Sequence, residues 1–149
     1  MAIYTVNANG ALVANTTKSM ILLNPVAKLL ITHLDVSFDE SAAAKGVRVD
    51  LYRVTTLGSA AGTSQTPKKF YEPDGASAVT TLVNLTTEPT AVDVIQSWYV
   101  QPFGGLLPLD AVLDHEVGAA AGGARLGLRW VNPSGGSTCN YQAGLAWSE

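Results

Sequence analysis

Residues Leu30–Phe38 read LITHLDVSF, and the reading of this stretch decides the fold. On an extended chain, successive side chains point to opposite sides. Leu30, Leu34, Val36 and Phe38 then share one face, while Ile31, His33, Asp35 and Ser37 share the other. That alternation is the mark of a half-buried strand in an antiparallel sheet. The same pattern recurs on the C-terminal side. Val47, Val49 and Leu51 alternate with Arg48, Asp50 and Tyr52. Val92, Val94, Trp98 and Val100 alternate with Asp93, Ser97 and Gln101, with Gln96 as a polar exception on the apolar side. Leu126, Leu128 and Trp130 alternate with Arg125, Gly127 and Arg129, and Tyr141, Ala143, Leu145 and Trp147 close the series. Ser19–Leu23, Ala78–Leu85 and Ala111–Val117 carry weaker versions of the pattern.

Between these runs lie segments rich in Gly, Pro, Ser and Thr, which punctuate strands. No stretch keeps a helical period for long enough to be a helix, and Ser41–Lys45 has room for one turn only. The expectation is an all-β protein of about eight strands, folded as an antiparallel two-sheet β-sandwich of jelly-roll-like form. An immunoglobulin-like sandwich is the alternative, but it usually carries paired cysteines. Residues 1–16 are polar and weakly patterned, so they read as an N-terminal arm or an edge strand, and 17–149 as the sandwich domain. Thr55–Pro67 (TTLGSAAGTSQTP) reads as an exposed loop, mobile or ordered by a partner.

A chain of 149 residues supports one core. Hydrophobic residues make up 47% of it and charged residues only 14%, well below the common level, and such a bland surface suits protein partners. The net charge of −3 builds no positive field to neutralise phosphates, so nucleic acid is not an expected partner. The apolar runs Met20–Leu23 and Val26–Ile31 are too short to span a bilayer as helices, and no membrane is expected. Cys139 is the sole cysteine, which excludes an internal disulfide. The start of the chain lacks the pattern of a secretory signal, so the expected site of synthesis is a cytoplasm.

Sites for chemistry are hard to assemble from these residues. His33 and Asp35 share a face at i,i+2 spacing, and His115 sits among Asp110, Asp114 and Glu116. Both groups read as solvated surface, and a metal site would need the two strands to be neighbours. Pro133-Ser134-Gly135-Gly136 lacks the leading glycine of a nucleophile elbow, and Gly118–Gly123 (GAAAGG) lacks the Lys and Ser/Thr of a phosphate loop. No carboxylate pair stands out for glycoside chemistry. Cys139 has no cationic neighbour in sequence to activate it, so it reads as an inert thiol. Asn15-Thr16-Thr17 and Asn84-Leu85-Thr86 match the N-glycosylation pattern, which carries no weight without export. Trp98, Trp130 and Trp147 all fall on apolar faces and read as core. The expectation is a protein that is not an enzyme and holds no cofactor and no metal.

Several of these strings together resemble a known class. They are LITHLDVSFD (Leu30–Asp39) leading into a small-residue loop, VRVDLYRVTT (Val47–Thr56), and the Gly/Thr/Ser loop ending at Thr66-Pro67. They continue with TTEP (Thr86–Pro89), WYVQP (Trp98–Pro102) before Gly104-Gly105, RLGLR (Arg125–Arg129), and the terminal Trp147-Ser148-Glu149. From about Leu29 onward the chain resembles the capsid decoration or cement proteins of tailed bacteriophages, especially those infecting actinobacteria. The resemblance implies a jelly-roll-like subunit on the outer surface of the virion head, where a homotrimer clamps neighbouring copies of the major capsid protein. Such a protein adds contacts that resist the outward pressure of packaged DNA, several modest contacts acting as one tight one.

Two segments are the expected points of contact with the capsid or a neighbouring copy. The first is the N-terminal segment, with Ile3, Tyr4, Val6, Leu12 and Val13. The second comprises the loops Gly58–Gln65 and Phe103–Leu107, the latter with Phe103, Leu106 and Leu107, unless these three fold back over an open end of the sandwich. The competing functions are a phage tail or fibre-head component and a carbohydrate-binding jelly roll. The last would need exposed, coplanar aromatic rings, which the placement of the Trp residues opposes.

Overall fold

The computed structural model describes residues 2–26, 29–40, 45–103, 106–110 (backbone only) and 125–149. The described residues hold strands and no helix, so none is long and apolar enough to cross a membrane. The strands are β1 (Ile3–Ala11), β2 (Thr16–Asn24), β3 (Leu30–Phe38), β4 (Val47–Thr56), β5 (Ala61–Gln65), β6 (Lys68–Lys69), β7 (Thr80–Thr87), β8 (Ala91–Val100), β9 (Leu106–Asp110), β10 (Leu126–Asn132) and β11 (Asn140–Ser148). They form a five-stranded sheet, β6-β1-β11-β3-β9, and a six-stranded sheet, β5-β7-β2-β10-β4-β8, with every pairing antiparallel.

Setting β5, β6 and β7 aside leaves eight strands. In chain order of those eight, the sheets then run first-eighth-third-sixth and second-seventh-fourth-fifth. Except between the fourth and fifth, each strand is followed by one in the opposite sheet. That winding is a jelly roll, as expected. The three additional strands all come from the segment between β4 and β8. β7 extends the six-stranded sheet beside β2, β5 flanks β7, and β6 flanks β1.

The main core lies between the sheets and takes its large side chains from both, among them Tyr4, Leu34, Val49, Trp130, Leu145 and Trp147. Tyr4 and Trp147 stack with centroids 6.3 Å apart. Trp130 and Tyr141 meet edge to face, also at 6.3 Å. Aromatic pairs in these arrangements add to what area burial alone gives.

Extra residues interrupt the alternation wherever a stripe looks imperfect. Between β3 and β11 the register steps from His33↔Ala146 to Ile31↔Trp147, which leaves Thr32 as an extra residue. Ile31, expected on the polar face, is therefore turned into the core. Met20 is extra in β2, between Ser19↔Arg129 and Ile21↔Leu128. In β8 the register steps from Gln96↔Leu51 to Val94↔Tyr52, so Ile95 is extra. Trp98 and Val100 consequently face the main core, while Val92 joins a second cluster on the outer side of the six-stranded sheet. Gln96, the sole polar residue in that stripe, stands where the stripe changes sides.

That second cluster holds Leu22, Tyr52, Val54 and Leu85, with Leu57 and Ala60 of the β4–β5 connection packed on top. Asn84 has a φ of 50°, a left-handed conformation that Asn tolerates better than most residues. The kink breaks the alternation of β7, so that Val83 faces the main core and Leu85 the outer cluster.

Four expectations change. The segment Thr55–Pro67 is not a free loop, because β5 lies within it and pairs with β7. The N-terminal segment forms β1, which pairs with β11 from Ile3↔Ser148 to Ala11↔Asn140 and is flanked by β6, one place in from the edge. Leu106 and Leu107 open β9, opposite Ser37 and Val36 of β3. Strands among the described residues exceed eight: β7 is the strand expected at Ala78–Leu85, while β1, β5, β6 and β9 come in addition to the expected strands. The weak strand Ala111–Val117 and most of the turn at Ser41–Lys45 lie outside the described residues.

Candidate functional site

Among the described residues, a dense polar assembly sits on the outer face of the six-stranded sheet. Arg48, Asp50 and Tyr52 alternate along β4 and so emerge on one side, beside Arg129 of β10 and Ser97 of β8. Arg48 donates from Nε and Nη2 to the two carboxylate oxygens of Asp50, at 2.9 and 3.2 Å. Arg129 Nε donates to Oδ2 at 3.0 Å, and the Ser97 hydroxyl donates to Oδ1 at 2.7 Å. Asp50 is fully buried beneath these partners. Burial opposes its charge, but the hydrogen bonds from Ser97, Arg48 and Arg129 outweigh that and hold its pKa below the ordinary value of 3.8.

The Arg129 guanidinium also lies 5.4 Å from the centroid of the Tyr52 ring. The Tyr52 hydroxyl is 2.6 Å from Ser19 Oγ, and Ser19 in turn bonds Glu88 through both its hydroxyl and its backbone N–H. Burial pushes the Tyr52 phenol up to about 12. Both oxygens of Asp50 are each met by two donors, and both arginines turn donors inward. A carboxylate so fully engaged is a poor base and a poor metal ligand. What the cluster can do is mechanical: it ties β8 to β4 and β10 through one buried carboxylate.

Among the described residues, β8 is the outermost strand of its sheet. Val94 and Ile95 are 41% and 40% exposed and Tyr99 is 78% exposed. Across the sandwich, at the β1–β6 side, Phe70 and Tyr71 follow β6 directly and are 67% and 66% exposed. Phe70 N–H donates to Ile3 C=O at 3.0 Å, and Ile3 is exposed beside it. Among the described residues, large apolar side chains are thus exposed at two opposite edges of the sandwich. Of these residues the sequence reading named Ile3 and missed Phe70, Tyr71 and the β8 set. The signal for the β8 set was Gln96, which marks the change of side. Phe70 and Tyr71 carry no periodic signal at all.

The expected contact residues divide. Tyr4 and Val6 are buried in the core, because β1 is a fully paired strand whose alternate side chains point inward, and Leu12, just past β1, is buried with its N–H bonded to the Cys139 carbonyl at 2.7 Å. They cannot touch a partner. Ile3, Val13 and Phe103 are exposed, and Phe103 makes an isolated bridge with Glu40. The side chains of Leu106 and Leu107 lie outside the described residues, as does His115 with Asp114 and Glu116.

His33 Nε2 and Asp35 Oδ1 are 3.3 Å apart on the outer face of the other sheet, and no group of three metal-ligating side chains occurs among the described residues. Open cavities of about 260 and 290 Å³ sit near Asp39 and near Arg125. In the first, the Asp39 carboxylate is already engaged by the side chain and the backbone N–H of Asn140. Cys139 is half-buried, and burial, with Glu40 and Asp39 nearby, raises its thiol pKa, which fits an unreactive cysteine. Trp130 and Trp147 are buried, and Trp98 packs partly buried against the main core. No protein-family model, curated protein or solved structure matches the chain.

Proposed function

We propose that this chain is a structural protein of a phage virion, bound to the outer surface of the head, where it bridges neighbouring major capsid subunits. The observation that carries the reading is the placement of exposed apolar residues at opposite edges of one sandwich. Phe70, Tyr71 and Ile3 lie at the β1–β6 side, and Val94, Ile95 and Tyr99 lie along β8. A protein that clamps must hold on at two separated places, and a jelly roll of this kind offers both on a stiff body. Each contact can be modest, since two made together act with a high effective concentration. The low charge content favours protein partners over nucleic acid, and the burial of Trp130 and Trp147 takes the largest rings away from any sugar-stacking platform.

The test is co-sedimentation with purified heads of the phage that encodes the chain, stripped of this protein. The expected result is saturable binding and greater retention of DNA on heating. The double variant Phe70→Asp, Tyr71→Asp should bind at least about tenfold more weakly while keeping its folded spectrum, as for loss of interface anchors. Wild-type protein that never appears in the head fraction would overturn the reading.

A further inference from the structure

We infer that Asp74-Gly75 is a site of spontaneous covalent modification, where the aspartate rearranges to isoaspartate, while the chemically faster Asn9-Gly10 is held unreactive by the fold. The inference is independent of the capsid reading. The reaction needs no reagent besides water. The Gly75 amide nitrogen bonds to Asp74 Cγ, and the carboxyl hydroxyl leaves with the amide hydrogen as water, which closes a five-membered succinimide. Water then adds to one of the two ring carbonyls. Opening at the former carboxyl restores aspartate. Opening at the main-chain carbonyl leaves the peptide bond on Cγ, and the main chain is longer by one methylene. At an asparagine the same attack expels ammonia, which leaves more readily.

A following glycine leaves the attacking nitrogen unshielded, and these two pairs are the only Asn-Gly and Asp-Gly steps in the sequence. Leaving-group chemistry alone ranks Asn9-Gly10 first, and the structure reverses that order. Attack needs Cγ to swing onto the next nitrogen, which an extended strand backbone, with ψ of about +135°, does not permit. Asn9 and Gly10 lie within β1, opposite Gln142 and Tyr141 of β11. Asn84 Nδ2 also holds the Asn9 carbonyl at 2.8 Å, and a Cβ at Gly10 would stand 3.0 Å from the Tyr141 ring. Neither residue can turn without parting β1 from β11, an opening that is rare in a core strand.

Asp74 and Gly75 lie outside any strand, between β6 and β7. The Asp74 N–H closes a turn onto Tyr71 C=O at 3.1 Å, and Gly75 is exposed. Among the described residues, neither the Asp74 carboxylate nor the Gly75 N–H makes a hydrogen bond. Glycine is ordinarily called for by a left-handed φ or by a close neighbour. Position 75 has neither, since its φ is not positive and a Cβ built there would meet nothing within 4 Å. What glycine does there is leave the nitrogen open to Cγ. The product reaches into the fold, because Gly75 C=O accepts the Tyr4 hydroxyl at 3.0 Å and an added methylene displaces that carbonyl.

The test is prolonged incubation of the folded protein in neutral buffer at physiological temperature, followed by tryptic digestion, which puts the two sites in separate peptides, Met1–Lys18 and Phe70–Arg125. Isoaspartate is read in each by methyl transfer from S-adenosylmethionine with an isoaspartyl-specific methyltransferase. Methyl acceptance should rise with time in Phe70–Arg125, with no change of mass, and stay absent from Met1–Lys18. In denaturant the order should invert, with Met1–Lys18 reacting first and gaining the mass of an amide turned acid. Asp74→Glu and Gly75→Val should each lose the signal in Phe70–Arg125, and the open space at 75 lets the second keep the wild-type circular dichroism spectrum. Aged wild type should also unfold at lower denaturant than fresh protein, and aged Gly75→Val should not. Three outcomes would overturn the inference: Phe70–Arg125 unmodified over a period in which the denatured chain reacts, Asn9 reacting in the folded protein as fast as Asp74, or a signal that survives Gly75→Val.

Discussion

The ring of Tyr52 lies flat across Gly127 on the neighbouring strand. A Cβ built at position 127 would stand 2.1 Å from Tyr52 Cζ and 2.3 Å from its hydroxyl oxygen. Because 127 carries no side chain, the phenol can cross β10 and reach Ser19 on β2 at 2.6 Å. Three strands are joined by one residue that keeps clear of another.

Gly127→Ala should therefore cost about 2 kcal/mol or more, in the range of overpacking penalties, by forcing Tyr52 off Ser19. Chemical denaturation measures this. In a Tyr52→Leu background the same substitution should cost less, because the two residues interact directly. Equal costs in both backgrounds would show that the ring is free to move aside.

Asp50 should govern the acid limb of stability. Its folded pKa lies below 3.8, so the unfolded chain takes up the proton first as pH falls. The stabilisation is present above the unfolded value and is lost as pH falls through the folded one. Unfolding midpoints should drop on going from pH 7 to below pH 4, and Asp50→Asn should flatten that part of the profile. At pH 7 the variant should lose about 3 kcal/mol, since two arginines are left facing an uncharged group. Amide exchange should rise in β8, which loses its tie to β4.

Glu149 should hold down the connection that follows β6. Its carboxylate accepts hydrogen bonds from Ser77, from the backbone N–H of Ala78 at 3.0 Å and from Trp147 Nε1 at 2.9 Å. Glu149→Ala should cost about 1 kcal/mol, as for a lost hydrogen bond of this kind. Faster tryptic cleavage after Lys69, beyond what that small global loss explains, is the expected signature.

Removal of residues 1–11 should prevent folding. β1 pairs with β11 along its length, and Tyr4 stacks on Trp147. Loss of the cooperative unfolding transition is the expected result. A truncated chain that still unfolds cooperatively would show that the rest of the sandwich closes without β1.

The sequence by itself determined that the chain is a sandwich and which residues line most of its core. Leu34, Val36, Val49, Leu128, Leu145 and Trp147 could be assigned inward because alternation is a local property of an extended chain, written residue by residue. Tertiary structure alone decided which strands became edges, where alternation fails, and what surrounds each polar group. Ile31, Met20 and Ile95 owe their positions to partner strands that carry one residue fewer, which no single strand records. Likewise Arg48, Asp50, Ser97 and Arg129 look like ordinary outward polar residues until pairing brings three strands side by side. The exposure of Val94, Ile95 and Tyr99 has the same origin: hydrophobicity is a property of the side chain, but being left uncovered depends on whether another strand lies beyond.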